Sequence, residues 1–395
     1  MMTSAISRRV AVICSFALGS LLAAGAAAQA PAAAGQVIRV GPTRALSSIA
    51  AAARVAMDGD TVEVDAGEYI GDVAVWAKNN LTLKAVGGRV KLIANQMSAE
   101  QKGIWVVRGE KIVVLGFDFT GATVPSRNGA GIRFERGSLL VRDCTFIANE
   151  NGILTGNQND ARLEIENSEF GQNGFGDGQS HNVYVGEIAY LSVSGSYFHH
   201  AKVGHLLKTR AAVNDIRYNR LTDEADGQAS YELEFAAGGV AYVVGNIIQQ
   251  SAQTNNPHLV SYGTEGYKWP TNELYLINNT LIDERASSGV FLRVRPGAGT
   301  VRAENNLMVG AGSFDLAAAG GTGENFRGDD KTFVSRAAGD FRLRRGSPLI
   351  GRAAAVAPAR DVVLNPDREY QHPARTARIG GASPKNPGAF QSLGK

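Results

Sequence analysis

The chain has 395 residues, of which 44% are hydrophobic, 47 are glycine and 12 are proline. Such a length and composition suit a large folded core, and two cysteines are too few for a fold stabilised by several disulfides. The formal net charge of +3 is too small to attract nucleic acid over the whole surface, so we expect no nucleic-acid partner.

The first thirty residues have the pattern of an export signal. Arg8 and Arg9 form a short basic segment, residues 10–27 are apolar, and Ala28-Gln29-Ala30 is a small-residue cleavage site. No later apolar run approaches the roughly 18 residues that a membrane span needs. We therefore predict that residues 1–30 are a signal peptide that is removed, and that the mature protein is periplasmic or secreted, has no membrane span and is a monomer.

A single helix is predicted near the start of the mature chain. Residues 46–57 (LSSIAAAARVAM) are rich in alanine, carry apolar residues at helical spacing and are followed by Asp58-Gly59. The next segments, residues 61–64 and 81–85, have the pattern of strands. We expect the helix to cover the N-terminal end of the strand-rich region that follows, because open strand edges need covering.

The strongest pattern in the sequence is a repeat. A strand template recurs at intervals of 23 to 33 residues, and its copies end at Phe119, Phe146, Phe170, Phe198, Leu221, Ile248, Leu281 and Met308. A second strand series interleaves with it, starting near residues 103, 131, 152, 181, 205, 231, 258 and 289. A period near 25 residues with short strands and almost no helix indicates a solenoid of β-coils, and asparagines after the strands suit its tight turns.

Two segments resemble a known superfamily. Residues 58–64 (DGDTVEV) with 66–69 (AGEY) resemble the first coil of pectate-lyase-like proteins, and residues 340–343 (DFRL) with 346–349 (GSPL) resemble their closing segment. The resemblance implies an all-β, right-handed parallel β-helix, here of about ten coils. We assign residues 31–312 to this solenoid with its N-terminal cap, and residues 313–395 to a last partial coil and a tail packed on the solenoid. The superfamily contains lyases, hydrolases, epimerases and adhesins, so it does not fix a function.

Charged residues at spacing two follow the second strand series. Alternate residues of a strand point to one face, so we expect a polar stripe on the outer face of one sheet. Its predicted members are Asn182, Tyr184, Lys208, Arg210, Glu232, Glu234, Arg293 and Arg295, and His181 and His205 lie close by in the sequence. A stripe that combines both charges with an aromatic side chain suits an extended acidic polysaccharide.

The preferred reaction for this stripe is β-elimination on a uronic-acid polymer. Elimination requires a neutralised substrate carboxylate and a base that removes the adjacent proton. Arg210 is the predicted neutralising group, Lys208 is the predicted base with its pKa lowered by Arg210, and Tyr184 or His205 would protonate the leaving oxygen. His181, Asn182, Glu232, Glu234, Arg293 and Arg295 are the predicted substrate-binding residues.

Other uses of the same residues stay open. By resemblance to calcium-dependent β-helix lyases, Glu232 and Glu234 are candidate calcium ligands, and calcium is the one candidate cofactor. As a pair, or one of them with Asp223 or Glu224, they also suit the acid and base of an inverting glycoside hydrolase, since spacing two along a strand is about 7 Å. The remaining alternative is a non-catalytic protein in which the charges form ordinary ion pairs across the sheet.

Two further segments contain histidine or aromatic residues that suit a functional site. His199, His200 and His205 are zinc ligands by type, but adjacent residues of a strand point to opposite faces, so we do not expect His199 and His200 to bind one ion. The longest repeat interval contains GTEGYKW, residues 263–269. A loop with Tyr267 and Trp269 is predicted to form the wall of a groove, or alternatively to pack its own aromatic rings on the surface.

Overall fold

A computed structural model describes residues 35–287, 289–316, 321–380 and 385–394. The predicted signal peptide, residues 1–30, lies outside these ranges. By its internal contacts the chain divides into residues 1–34 and residues 35–395, and all described residues belong to the second unit.

The elements follow one another in a repeating order. The first coils contain β1 (Val37–Val40), α1 (Ile49–Val55), β2 (Thr61–Ile70), β3 (Ala74–Trp76), β4 (Thr82–Ile93) and β5 (Gly103–Val107). Coils of three strands follow: β6 (Ile112–Leu115), β7 (Phe117–Thr120), β8 (Ala130–Phe134), β9 (Ser138–Arg142), β10 (Thr145–Ile147), β11 (Asn151–Thr155), β12 (Gln158–Glu166), β13 (Glu169–Gly171), β14 (Val183–Val185), β15 (Ile188–Ser194), β16 (Tyr197–His199), β17 (Leu207–Thr209), β18 (Val213–Arg217), β19 (Arg220–Thr222), β20 (Leu233–Phe235), β21 (Val240–Val244), β22 (Ile247–Gln250), β23 (His258–Tyr262), β24 (Glu273–Ile277), β25 (Thr280–Asp283), β26 (Val290–Val294), β27 (Thr300–Glu304), β28 (Leu307–Val309) and β29 (Ser313–Asp315). The chain ends with β30 (Gly321–Thr322), β31 (Phe326–Gly328), a 3-10 helix (Asp330–Thr332), β32 (Phe333–Ser335), a second 3-10 helix (Arg336–Ala338), β33 (Asp340–Leu343), β34 (Arg368–Gln371) and β35 (Arg375–Arg378).

The strands stack in register as a parallel β-helix. The second strand series forms a ten-stranded parallel sheet, from β3 to β29, with one strand per coil. The first series belongs to one 21-stranded sheet that turns a corner within every coil. We call its strands before the corner row A (for example β15, β18 and β21) and those after the corner row B (β16, β19 and β22). The predicted all-β parallel solenoid is confirmed, and each predicted template strand is in fact two strands separated by this corner.

Stacked aromatic rings fill the interior behind row B. The rings of Phe119, Phe146, Phe170 and Phe198 lie on four successive coils, with centroids 4.7, 4.8 and 4.8 Å apart and nearly parallel planes. All four side chains are buried. Because in-register coils repeat at about 4.8 Å, identical residues at one position stack face to face. The recurring phenylalanine of the template is therefore the core of the coil stack.

The corners between rows A and B are held by a ladder of side-chain hydrogen bonds. From its second member onward, each ladder residue accepts, through its side-chain oxygen, the backbone N–H of the ladder residue one coil earlier. The series runs Cys144, Ser168, Ser196, Asn219, Asn246, Asn279, Asn306 and Asn325, with N···O distances of 2.9 to 3.2 Å. Within this buried corner the ladder provides partners for backbone groups that no strand neighbour reaches.

We predict that Asn246→Ala destabilises the fold. Asn246 accepts from the N–H and the side-chain amide of Asn219, and its own amide donates to Asn279 and to the carbonyl of Ile216. Alanine would leave buried donors and acceptors unpaired, which costs about 1–3 kcal/mol for each group. The free energy of unfolding in urea measures the effect. Asn255→Ala, at an exposed loop position, is the matched control, and an equal loss in both variants would contradict the role of the ladder.

Helix α1 lies near the start of the described chain, between β1 and β2. Helix α1 is shorter than predicted, because Ala56 leaves helical geometry with ψ near 140°. Ser48 caps its first turn, and the carboxylate of Asp72 accepts the N–H groups of Ile49 and Ala50. The role of this helix as a cover for the stack stays a prediction.

The C-terminal tail runs back along the solenoid. Strands β29, β30 and β31 still pair with the preceding coil, and the following segments return across the corners of rows A and B. Tyr218 donates to Asp367, and the amide of Asn278 donates to the carbonyl of Asn386. Among the described residues, no helix is long and apolar enough to cross a membrane.

Candidate functional site

One register position of the ten-stranded sheet carries outward-facing side chains, all but one of which are polar. Successive coils place there Arg133, Leu154, Tyr184, Lys208, Glu234, Ser261, Arg293 and Asp315. We call this series the outer column. It contains four of the ten predicted site residues, Tyr184, Lys208, Glu234 and Arg293, so strand alternation located these side chains correctly.

Lys208 is held by two carboxylates. Its Nζ lies 3.1 Å from Glu234 and 3.0 Å from Glu265, and only 13% of its side chain is exposed. Burial alone would lower the pKa of Lys208, but the charges of Glu234 and Glu265 outweigh burial and raise it. The expectation that Arg210 lowers this pKa is therefore wrong, because Glu265 lies between the two cations and pairs with both.

Arg210 is also occupied. It donates from Nε and Nη2 to Glu265 at 2.7 Å each, a bidentate pair. Its guanidinium also lies 4.9 Å from the ring centroid of Tyr184. Both predicted cationic groups are thus neutralised within the chain itself.

The loop of residues 263–269 lies over Lys208 and Arg210 and contributes to their neutralisation. Glu265 pairs with both cations, Thr264 donates to Glu234 at 2.5 Å, and the indole of Trp269 donates to the carbonyl of Arg210. Tyr267 packs its ring 5.5 Å from that of Tyr262. Of the two predictions for this loop, packing on the surface of the solenoid describes it better than an open groove wall.

Histidines and a tyrosine form a ladder beside the outer column. His181, His205, Tyr231 and His258 occupy successive coils, with ring centroids 4.4, 4.8 and 6.0 Å apart. The Nε2 of His205 lies 3.0 Å from Glu234. Burial lowers the pKa of His205 against the opposing effect of Glu234, and it lowers the pKa of His181 well below 6.5. Both rings are therefore neutral in the folded protein at neutral pH.

Glu232 does not lie on the outer face. It is fully buried, and neither carboxylate oxygen has a hydrogen-bond partner. The predicted pairing of Glu232 with Glu234, as calcium ligands or as hydrolase acid and base, is wrong in its geometry, since Glu234 faces outward. The reason is that β20 begins at Leu233, so the two-residue alternation of the strand does not extend to Glu232.

The other predicted site residues differ from one another in burial and in the groups they contact. Asn182 is buried and accepts from the side-chain amide of Asn173, so it is a turn residue and not a surface residue. Arg293 contacts His258 through Nη1 at 3.0 Å. Arg295 is exposed, and its carbonyl accepts from Tyr267. The structure therefore does not gather all predicted residues into one site.

An open groove of about 500 Å³ lies at the other end of the outer column. Loops that follow β7 and β13 form its walls, and Arg133, Leu154 and Tyr184 form part of its floor. Within the described ranges Arg133 makes no hydrogen bond or ion pair, and its Nε is buried without a partner. Burial lowers the pKa of this guanidinium, which nonetheless stays charged at neutral pH. The alternation of side chains along β8 accounts for the outward direction of Arg133, but nothing local in the sequence distinguishes it from the paired cations.

Row B carries a second histidine arrangement on its outer side. The Nδ1 atoms of His199 and His200 are 2.6 Å apart, and their Nε2 atoms contact Glu169 at 3.2 Å and Asp226 at 3.0 Å. The expectation that adjacent histidines point to opposite faces is wrong here, because β16 ends at His199 and His200 adopts left-handed geometry with φ of 46°. Across the described residues, no three or more His, Cys, Asp or Glu side chains are arranged to hold a metal ion.

These observations define a parallel β-helix with polar clusters on two of its faces. A family model described as "Periplasmic copper-binding protein (NosD)" matches residues 54–284. The chain belongs to the NosD family. The family description confirms the predicted location as periplasmic or secreted.

Comparison with solved structures supports the same fold. Pectate lyase Pel9A is similar over 90% of this chain and 96% of its own, with a TM-score of 0.61 and 15% sequence identity. At that identity the similarity shows the fold alone, and it confirms the resemblance to pectate-lyase-like proteins. A protein of Geobacillus virus E2, ORF18, covers 68% of this chain and 53% of its own at 12% identity, with a TM-score of 0.44. Pectin methylesterase from Aspergillus niger covers 74% and 87% at 12% identity, with a TM-score of 0.36. No curated protein matches the sequence.

We predict that Glu232→Gln stabilises the protein at high pH. Burial raises the pKa of Glu232 well above its ordinary value of 4.5, with Asp223 adding to the effect. A carboxyl group with a raised pKa in the folded state contributes its stability below the unfolded pKa, and that contribution is lost as the pH rises. Glutamine keeps the shape and does not ionise. The variant should therefore have a higher free energy of unfolding in urea than the wild type at about pH 8, and an equal one at about pH 4.

The control for this measurement is Glu324→Gln, because the Glu324 side chain is 61% exposed. It should leave the free energy of unfolding nearly unchanged at both pH values. A loss of stability in Glu232→Gln at both pH values would show that the carboxylate has a partner in the folded chain.

Proposed function

We propose that this protein binds an acidic polysaccharide on the outer face of the ten-stranded sheet, with Arg133 as the group that receives a uronate carboxylate. The observation that carries the proposal is the contrast between Arg133 and the other cations of the outer column. Lys208 and Arg210 are neutralised by Glu234 and Glu265, whereas Arg133 lies unpaired on the floor of an open groove. An unpaired guanidinium binds a carboxylate bidentately, which gives both charge and orientation.

The lining of the groove suits a sugar. Asn128, Asn157 and Gln179 bring amide groups that can donate to hydroxyls, and Tyr184 brings an aromatic side chain. A second guanidinium of the groove lining, that of Arg127, lies 4.4 Å from the ring centroid of Phe175. The in-register column repeats along the solenoid axis, so a polymer lying along it would pass from this groove toward Lys208.

Binding without turnover agrees better with the structure of the site than β-elimination does. A base for β-elimination must lose its proton near neutral pH, and the raised pKa of Lys208 opposes that role. His205 is neutral and aligned by Glu234, but its Nδ1 is buried beside His181. The similarity to pectate lyase Pel9A concerns the fold, and fold alone does not assign a reaction.

We predict that Arg133→Gln weakens binding to polygalacturonate. The substitution removes the unpaired charge and breaks no ion pair of the folded chain, so it should lower the affinity about 10-fold or more, as expected for a hydrogen-bonded charge pair. Retardation of the native protein in gels that contain polygalacturonate measures the change. Arg54→Gln, at an exposed position of α1, removes one charge far from the groove and should leave the retardation unchanged. Equal retardation of both variants would sink the assignment of Arg133.

We also predict that the protein causes no rise in absorbance at the unsaturated-uronate band. Purified wild type would be incubated with polygalacturonate and alginate, once with calcium and once with a chelator. The physical reason is that Lys208 stays protonated between its two carboxylates. A rise that is lost in Lys208→Ala would show elimination, and a rise only with calcium would add a metal to the site.

The family description supplies a second candidate function, copper binding. A site with three or more His, Cys, Asp or Glu ligands does not fit the residues that the structure describes. His199 and His200 offer two nitrogen ligands, although their Nδ1 atoms lie 2.6 Å apart and would have to separate to admit an ion. Imidazole is a suitable ligand for copper, and this contact is the observation that favours the second candidate.

A further inference from the structure

A hollow of about 660 Å³ lies near the C-terminal end of the solenoid, and it shares no lining residue with the groove of Arg133. It forms where β31 and the first 3-10 helix meet the turn that follows β33. Its lining carries four cations, which are those of Arg327, Lys331, Arg344 and Arg345. Asp329 is the one carboxylate among the described residues of this lining, so the net charge is +3. We call this feature the basic hollow.

The four cations of the basic hollow have no carboxylate partner. Within the part of the chain that the structure describes, none of the four forms an ion pair. Asp330, the residue after Asp329, is not part of the lining and pairs with Arg336 instead. The cations of the outer column at Lys208 and Arg210 are neutralised, whereas the charge of the basic hollow is left for a ligand.

Two of the guanidinium groups are held in place by backbone carbonyls. Arg327 donates from Nη1 and Nη2 to the carbonyls of Gly310 and Gly312, at 2.9 and 2.7 Å. Nη1 of Arg344 donates to the carbonyl of Lys331 at 3.0 Å. A carbonyl orients a guanidinium but does not neutralise it, and the five N–H donors of arginine are not all used. Because these groups are oriented before binding, a ligand would lose less free energy in ordering them.

Two buried hydroxyl groups complete the polar lining. Thr332 is 9% exposed and Ser347 is 8% exposed. The hydroxyl of Thr332 and the N–H of Lys331 both donate to Asp329, so this carboxylate already accepts bonds from the chain. Ser347 accepts the N–H of Leu349 at 3.4 Å, and its own hydroxyl hydrogen can donate to a ligand. The lining therefore offers mainly donors, which suits an anion.

We propose that the basic hollow binds a diphosphate group carried by a small molecule. Two linked phosphoryl groups carry a charge of about −3 at neutral pH, which balances the net charge of the lining. Arginine binds phosphate oxygens bidentately, and lysine binds them as a point charge. A single uronate carboxylate would balance only one of the four cations. This site is independent of both candidate functions.

The basic hollow also has room for the group that carries the diphosphate. Its volume lies within the range of about 300–1,000 Å³ that is usual for small-molecule sites. Pro348 and Leu349 give the lining an apolar side, against which an organic ester group can pack. The same diphosphate chemistry occurs in soluble molecules and in lipid head groups, and the experiment below distinguishes these two sources.

The test is an isothermal titration of the purified mature protein with pyrophosphate at low ionic strength. We expect one bound pyrophosphate per chain, and an affinity about 10-fold lower in Arg345→Gln, as for the loss of one charge-assisted hydrogen bond. Arg345 is exposed and forms no ion pair or side-chain hydrogen bond with the described residues, so its substitution should not disturb folding. Lys331→Gln, at a second exposed position, should lower the affinity in the same way.

Arg378→Gln is the matched control, because Arg378 is also an exposed cation without an ion pair and lies outside the lining. It should bind pyrophosphate as the wild type does. If Arg345→Gln and Lys331→Gln both bind as tightly as the wild type, or if the wild type does not bind pyrophosphate, the proposed site is wrong. Inorganic phosphate that binds as tightly as pyrophosphate would overturn the assignment of a diphosphate.

Sedimentation with vesicles distinguishes the two sources of the ligand. The vesicles consist of phosphatidylcholine, with and without a lipid that carries a diphosphate head group. Sedimentation that requires this lipid, and that pyrophosphate reverses, would support the site with a membrane-borne ligand. Pyrophosphate binding without sedimentation would support the site with a soluble ligand.

Discussion

The fold depends on hydrogen bonds that connect each coil to the next at its corners. Strand ladders satisfy the backbone within the sheets, but a coil must turn, and the turning residues lie inside the protein. The side chains of Ser168, Ser196 and the asparagines that follow accept the backbone N–H groups of the preceding coil. A one-residue slip of any coil would break these contacts and separate the stacked phenylalanines. The same ladder thus fixes both the corner and the register of every outward-facing residue.

Register in turn decides which charges meet. Because the coils repeat without offset, Tyr184, Lys208 and Glu234 stand directly above one another on the outer column. Ion pairs between neighbours follow from this stacking, and the loop that carries Glu265 completes them. Because neighbouring charges pair in this regular way, a charged residue without a partner is easily identified. Arg133 has no such partner, and it lies on the floor of an open groove.

Turns between the sheets produce the arrangements that strand periodicity does not describe. A left-handed residue changes the direction in which consecutive side chains point, as at His200, and a residue just before a strand escapes alternation, as at Glu232. In the first case two imidazoles meet outside row B. In the second case a carboxyl group is buried without a partner. Both candidate functions therefore use the same solenoid, the polysaccharide proposal through its regular face and the copper proposal through one of its turns.

The amino-acid sequence by itself determined the parallel β-helix, because a period near 25 residues with an apolar residue at each strand end leaves few other folds. It also determined the outward direction of Tyr184, Lys208 and Glu234, since strand alternation is a local property. Only the tertiary structure decided the neutralisation of Lys208 and Arg210, because Glu265 lies more than two repeats further along the chain and reaches both side chains from a loop. It likewise decided the burial of Glu232 and the contact of His199 with His200. The burial of Glu232 depends on where β20 begins, and the contact of His199 with His200 depends on the sign of φ at His200. Neither follows from the spacing of residue types.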